Sequence, residues 1–243
     1  MKKPRVAIFD FAGCEGCQLQ IINLEEELLQ LLEVVDVVEW REGISDRSPE
    51  FDIAIVEGAI TRPQDVRRLE QIRARAKVLV ALGACASHGG VNRLRQRLDL
   101  AAAKRIVYGT AAREEFLGSG PVQAIDEVVS VDARVEGCPI DRQELGNVLR
   151  TLVLGGEPKV PDYPVCVECK RAGNICRYER GEICLGPVTR GGCGARCPSY
   201  GMWCYGCRGS VDEPNIHAAR AVMERYGRTV QEREERLALF GSR

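Results

Sequence analysis

The sequence predicts an α/β fold, an open doubly wound parallel sheet over residues 1–154, followed by a cysteine-rich, largely irregular part over residues 155–243. Three observations predict it. Short apolar runs alternate with amphipathic stretches through the first 154 residues, the pattern of a parallel sheet with helices packed on it. Gly155, Gly156, Pro158, Pro161 and Pro164 then form a breaker-rich linker. Beyond it, eight of the twelve cysteines crowd between Cys166 and Cys207 in a stretch without sustained apolar periodicity.

In chain order, the apolar runs predict strands at 5–11, 34–40, 52–57, 77–83 and 127–135, with a fainter strand pattern at 104–108. Between them, helical periodicity predicts helices at 17–32, 63–76, 90–103 and 141–154. Pro63 suits a first helical turn behind a Thr61 cap. Two further helices are expected at 215–226 and 229–240, the second opened by the capping box Thr229-Val230-Gln231-Glu232. The alternation describes a flavodoxin-like sheet. Cys14 and Cys17 follow its first strand, Cys85 the strand at 77–83, and Cys138 the strand at 127–135. Sites in such sheets form beyond the carboxyl ends of the strands, so three separate loops are expected to converge on one edge.

Composition limits the function classes. A chain of 243 residues, 45% hydrophobic, can bury one ordinary core and a smaller appended one. Its formal charge of -1 carries no electrostatic footprint for nucleic acid or anionic lipid. The longest apolar run, 78–85, falls far short of the roughly 20 residues of a membrane helix. The chain starts MKKPRVAIFDF and enters strand pattern at once, so a cytoplasmic protein is expected. Thiols in a reducing compartment point to metal rather than to disulfides. With little apolar material of its own, the segment from 155 to 209 is expected to be organised by what its thiolates bind.

Two metal chemistries compete. Cys166/Cys169 and Cys204/Cys207 have the C-x2-C spacing of a zinc ribbon, which uses four cysteines and leaves Cys176, Cys184, Cys193 and Cys197 idle; two structural zinc sites are the alternative form. An iron-sulfur cubane takes four thiolates around a larger body and accommodates wider, less regular spacing. Cys193-x3-Cys197-Pro198 has the closing C-x3-C-P of a bacterial ferredoxin, and Cys138 also precedes a proline. From Cys166 through Arg208, seven basic residues face three acidic ones. That surplus offsets the charge of two oxidised four-iron clusters, about -2 each with their thiolates.

Cys14-Glu15-Gly16-Cys17, Gly83-Ala84-Cys85-Ala86 with Gly89-Gly90, Glu136-Gly137-Cys138-Pro139, and the block from Cys184-Leu185-Gly186-Pro187 to Cys207-Arg208-Gly209 together resemble the small, electron-transferring subunit of nickel-iron hydrogenases. The resemblance is strongest to the cytoplasmic multimeric branch, that of the sulfhydrogenase delta and coenzyme-linked small subunits. It spans nearly the whole chain and weakens after about Asp212.

The resemblance implies three 4Fe-4S clusters: a proximal one on Cys14, Cys17, Cys85 and Cys138, a medial one on Cys193, Cys197, Cys204 and Cys207, and a distal one on Cys166, Cys169, Cys176 and Cys184. It implies as partners a nickel-iron large subunit, where hydrogen is split, and a flavin or iron-sulfur electron-transfer subunit. The chain itself would perform no bond chemistry. Periplasmic members use histidine where Cys166 stands and commonly proline where Cys197 stands, so an all-cysteine, all-cubane set is expected here. Their twin-arginine leader is also missing from this sequence.

Two rivals define the contrast. The respiratory complex I subunit of the same fold typically has adjacent cysteines in its first loop and one cluster, unlike the separated Cys14 and Cys17 and the eight later cysteines. A zinc-stabilised interaction module would have no redox role. Glu15 is a candidate for a proton route and Glu57 for support of the first site, beside the more ordinary roles of a solvated turn residue and a strand-end residue. His88 and His217 are read as loop or helix-start residues rather than ligands. Gly89 and Gly90 do not form a dinucleotide fingerprint, because no G-x-G-x-x-G opens a helix here.

Overall fold

The computed structural model describes residues 3–109 and 118–240. Five strands, β1 (Arg5–Asp10), β2 (Asp36–Trp40), β3 (Ile53–Glu57), β4 (Val78–Leu82) and β5 (Ala133–Val135), form one parallel sheet in the order β2-β1-β3-β4-β5. The chain winds outward from β1 to β2, then returns past β1 to continue through β3, β4 and β5. The reversal lies between β1 and β3, where the loops at their carboxyl ends diverge and open a crevice.

Strand alternation sorts side chains onto two cores. Val6, Ile8, Ile53, Ile55, Val80, Leu82 and Val135 face Ile21, Leu31, Leu145 and Val148 from α1 (Gly16–Ile22), α2 (Glu26–Val34) and a later helix. On the other face, Ala7, Phe9, Ala54, Val56, Leu79 and Ala81 meet Leu69 and Ile72 of α3 (Pro63–Arg75). β3 is buried along its whole length, as a central parallel strand covered on both faces must be. Each large aliphatic side chain so buried contributes roughly 1.5–3 kcal/mol, fixing the frame from which the loops project.

Local chemistry modifies several sequence expectations. The helix expected at 17–32 is split at Glu25, whose φ of 54° interrupts it, into α1 and α2. Arg62, rather than Thr61, precedes Pro63 at the start of α3, and its guanidinium pairs with Asp65 in the first turn. Cys85 lies on a short helix, α4 (Gly83–His88), in place of the expected loop. The helix expected at 90–103 is a 3₁₀ segment, Gly90–Arg97, followed by α5 (Leu100–Tyr108), which absorbs the strand expected at 104–108. Asp99 restarts the helix by accepting the N–H groups of Ala101 and Ala102 at 3.0 and 3.1 Å. Of the strand expected at 127–135 only β5 pairs. Ile125–Glu127 forms a 3₁₀ turn held by Ala124 N–H donating to the Glu127 carboxylate at 2.6 Å.

α6 (Arg142–Val153) completes the first core, capped by Asp141. The cysteine-rich remainder contains α7 (Val165–Arg171), α8 (Arg196–Ser199), α9 (Ile216–Arg225) and α10 (Val230–Leu237). The Thr229/Glu232 capping box expected for the last helix is present. This segment also has a small core that its sequence does not announce: Val165, Tyr178, Leu185, Ala195 and Met223 pack together with Cys184 and Cys204. Val165 opens α7, Met223 arrives from α9, and the other members come from separate segments, so no single periodic stretch marks the cluster. Among the described residues, no helix is long and apolar enough to cross a membrane.

Candidate metal centre

The first thiol group forms at the carboxyl edge of the sheet. Ala12 and Ala59 exchange backbone hydrogen bonds of 3.1 and 2.8 Å, holding the β1 and β3 exits together. Glu15 then turns the chain in a left-handed conformation, φ 60°, and Cys17 enters the first turn of α1. Glu57, 3% exposed at the end of β3, accepts the N–H groups of Cys17 and Gln18 at 3.1 Å each. It therefore satisfies the exposed donors of the α1 N-terminus across the crevice. Ala84 N–H donates to the Gly137 carbonyl at 2.8 Å, joining α4, with Cys85, to the Cys138 loop.

Glycines make room around these sulfurs. A Cβ at Gly83, whose φ is +82°, would collide with the Cys17 sulfur, and one at Gly90, φ +56°, would stand 2.8 Å from the Cys85 sulfur. Burial pushes the thiol pKa of Cys17 well up, with Glu57 adding to the effect and Cys138 and Cys85 contributing. Cys85 is pushed up to about 12 by burial, then by Cys138 and Cys14, and Cys138 is raised by burial and by Cys14. The four groups lie within one another's electrostatic reach. Without a cation Cys17, Cys85 and Cys138 resist ionising; a bound metal would supply the compensating positive charge.

A second group surrounds a cavity of about 330 Å³. Cys166, Cys169, Cys176 and Cys184 all line it, together with Tyr178 and with Ala218, Ala219 and Val222 of α9. Burial pushes Cys166 up to about 12, followed by Cys184, Cys169 and Cys176. A Cβ on Gly186 would lie 3.3 Å from the Cys166 sulfur and 3.5 Å from that of Cys184. Tyr178 donates its hydroxyl to the Cys184 carbonyl at 2.8 Å, tying the cavity wall to the small core.

The third group comprises Cys193, Cys197, Cys204 and Cys207. Burial pushes Cys207 up to about 12; Cys193, Cys138 and Cys197 also act on it, and it accepts a backbone hydrogen bond from Cys138. Burial raises Cys204, with Cys184 next and Cys207 contributing. Cys204 N–H donates to the Cys184 sulfur at 3.1 Å. The third group thus touches the first through Cys138/Cys207 and the second through Cys184/Cys204. Among the described residues, no group of three or more His, Cys, Asp or Glu side chains is arranged to hold a single metal ion. In the first two groups Gly83, Gly90 and Gly186 leave room beside the sulfurs, as a multi-atom cluster would require.

Several residues surrounding these sulfurs escape sequence reading. Glu168, between Cys166 and Cys169, accepts the N–H groups of Gly192 and Ala195 at 2.6 and 3.0 Å and pins the Cys193 loop. Asn92 donates to the Cys85 sulfur at 3.6 Å and to the Ala12 carbonyl at 3.1 Å. Part of the basic surplus is committed: Arg177 pairs with Glu182, Arg190 with Asp162, Glu136 and Asp212, and Arg208 with Glu144. Four of these acids lie outside the stretch from Cys166 to Arg208, so the offset expected from that stretch alone is smaller in the folded chain. His88 faces Glu136 at 3.4 Å, and His217 is exposed on α9. Glu15 is half-buried between Cys14 and Cys17.

Comparison with known proteins places this geometry. The family model for the NADH ubiquinone oxidoreductase 20 kDa subunit matches residues 14–152. The chain is 38% identical over 219 residues to the sulfhydrogenase 2 subunit delta of Pyrococcus furiosus, covering 87% of this chain and 89% of the relative. It is 31% identical over 242 residues to a vhu subunit of the F420-non-reducing hydrogenase of Methanococcus voltae, with 87% and 84% covered. A solved NAD+-reducing NiFe-hydrogenase in the H2-reduced state includes a chain with TM-score 0.58 and 31% identity, matching 66% of this chain and 96% of that one. The family model alone does not separate the hydrogenase reading from the respiratory one; the relatives do. The chain therefore belongs to the NADH ubiquinone oxidoreductase 20 kDa subunit family and, within it, is a nickel-iron hydrogenase small subunit of the branch containing the sulfhydrogenase delta and coenzyme-linked subunits.

Proposed function

We propose that the chain is an electron conduit carrying three 4Fe-4S clusters between a nickel-iron large subunit and an electron-acceptor subunit in the cytoplasm. The proximal cluster is assigned to Cys14, Cys17, Cys85 and Cys138, the medial to Cys193, Cys197, Cys204 and Cys207, and the distal to Cys166, Cys169, Cys176 and Cys184. The four proximal thiols belong to a sheet domain over residues 1–154; the remainder belong to a domain over residues 155–243. When bound, the clusters supply one-electron relay chemistry. The chain provides thiolates, excludes water around them and orients their loops through Glu57, Glu168 and Tyr178. The acceptor subunit carries flavin or iron-sulfur centres.

The observation that supports this reading is the cavity shared by Cys166, Cys169, Cys176 and Cys184, linked by the Cys184/Cys204 and Cys138/Cys207 hydrogen bonds toward the sheet-edge thiols. Iron and acid-labile sulfide analysis of the anaerobically purified complex tests it. About twelve of each per chain are expected from three cubanes. Stoichiometric zinc, or about four irons per chain, overturns it in favour of the zinc module or the single-cluster respiratory pattern.

A further inference from the structure

Arg208 is 1% exposed and heads the large side chains fully buried in the structure. Its Nε donates to the Gly191 carbonyl at 2.7 Å, its Nη1 donates to the Glu136 carbonyl at 2.6 Å, and its Nη2 pairs with Glu144 at 2.6 Å. Gly191 lies two residues before Cys193, Glu136 two before Cys138, and Arg208 itself follows Cys207. One guanidinium thus joins the approaches to a thiol of the first group and two thiols of the third. A Cβ at Gly192 would stand 2.7 Å from Nη2, so glycine at that position leaves the space the guanidinium occupies.

Chemistry favours arginine at this junction. Its planar fork directs donors to two carbonyls while its charge faces a carboxylate, whereas a lysine ammonium keeps the charge without that rigid span. Glu144 belongs to α6, and its side chain is 10% exposed, so the opposing charge is anchored to the sheet part. The Cys207 contact with Cys138 crosses the same seam.

We infer that Arg208 is a positioning residue that fixes the gap between the first and third thiol groups and holds a buried positive charge at that gap. The inference rests on the three-cluster reading proposed above. Electron transfer falls steeply with separation, so a side chain that fixes the spacing also governs the rate. A fixed positive charge favours the reduced, more negative cluster and raises its potential.

The test uses the anaerobically purified complex of the full chain with its copurifying subunits. Iron content, potentiometric titration by electron paramagnetic resonance, and magnetic coupling between reduced clusters are measured for wild type, Arg208→Met, Arg208→Lys and Glu144→Gln. Wild-type protein with fewer than three clusters refutes the cluster reading itself, independently of Arg208. With three clusters present, Arg208→Met is expected to lower the potential of a cluster at this junction and alter the coupling. Glu144→Gln is expected to raise that potential, because the guanidinium loses its counter-charge. Arg208→Lys should return the potential toward wild type while leaving the coupling altered. Shifts of the same sign in Arg208→Met and Glu144→Gln, or no shift in either, overturn the inference. If Arg208→Met loses iron during assembly, Glu144→Gln decides: a raised potential supports the inference and an unchanged one overturns it.

Discussion

Glu57 shows how one buried carboxylate can determine the first site. Burial pushes its carboxyl upward, opposed by the hydrogen bonds it receives from Cys17 and Gln18. In Glu57→Ala both N–H groups lose their acceptor, and leaving a buried donor unpaired costs about 1–3 kcal/mol each. The expected result is loss of about one third of the cluster iron, concentrated in the first site, with lowered thermal stability. Glu57→Gln keeps an acceptor oxygen and is expected to retain most of that iron; iron analysis and thermal unfolding compare the two. Equal iron in Glu57→Ala and wild type would remove Glu57 from this role. The sequence places Glu57 at a strand exit beside Gly58, which makes it a candidate, but its partners lie 39 and 40 residues away. Glu168 is similar: its neighbours Cys166 and Cys169 are plain in the sequence, whereas its hold on residues 192 and 195 arises only on folding.

At the scale of elements, the strands with continuous apolar sequence, β1, β3 and β4, are legible because burial on both faces requires that texture. β5 is shorter than its apolar sequence suggests because the approach to it is diverted into the Ile125–Glu127 turn by a side-chain hydrogen bond. Helix α4 is not legible, since its sequence, Gly83-Ala84-Cys85-Ala86-Ser87-His88, is too short to display periodicity. Its end supplies a direct test. Gly90 has φ +56°, and a Cβ there would meet the Cys85 sulfur at 2.8 Å and the Cys85 backbone at 3.0 Å. Gly90→Ala therefore combines a left-handed penalty of roughly 1–2 kcal/mol with a contact that displaces α4. We expect selective loss of the cluster proposed on Cys14, Cys17, Cys85 and Cys138, read as altered electron paramagnetic resonance spectra with the signals of the other two proposed clusters retained. Three unaltered signals at wild-type iron content would show that the α4 end tolerates the added methyl.

At the scale of the whole molecule, the sequence discloses the sheet edge and the twelve thiols but not the seam between them. That seam depends on Arg208 and Arg190 reaching acids distant in sequence, Glu144 and Glu136, and charge counting within one stretch cannot locate such partners. In the proposed conduit, the order of the thiol groups across the seam would give the assembly two functionally separable ends. Hydrogen-deuterium exchange needs only the nickel-iron centre of the large subunit, whereas reduction of an acceptor needs electrons to leave through the far cluster proposed on Cys166, Cys169, Cys176 and Cys184. Cys166 faces the cavity shared by those four thiols, so Cys166→Ala removes one ligand while leaving the first group's sheet-edge loops in place. In the assembled complex, acceptor reduction is expected to fall at least about tenfold, while isotope exchange remains within about twofold of wild type; tenfold corresponds to about 1.4 kcal/mol in the transfer barrier. Both activities are measured on the same preparation after iron analysis has confirmed that the other two clusters are present. An equal fall in both, with assembly and the other clusters intact, would overturn the assignment of Cys166 to the far cluster.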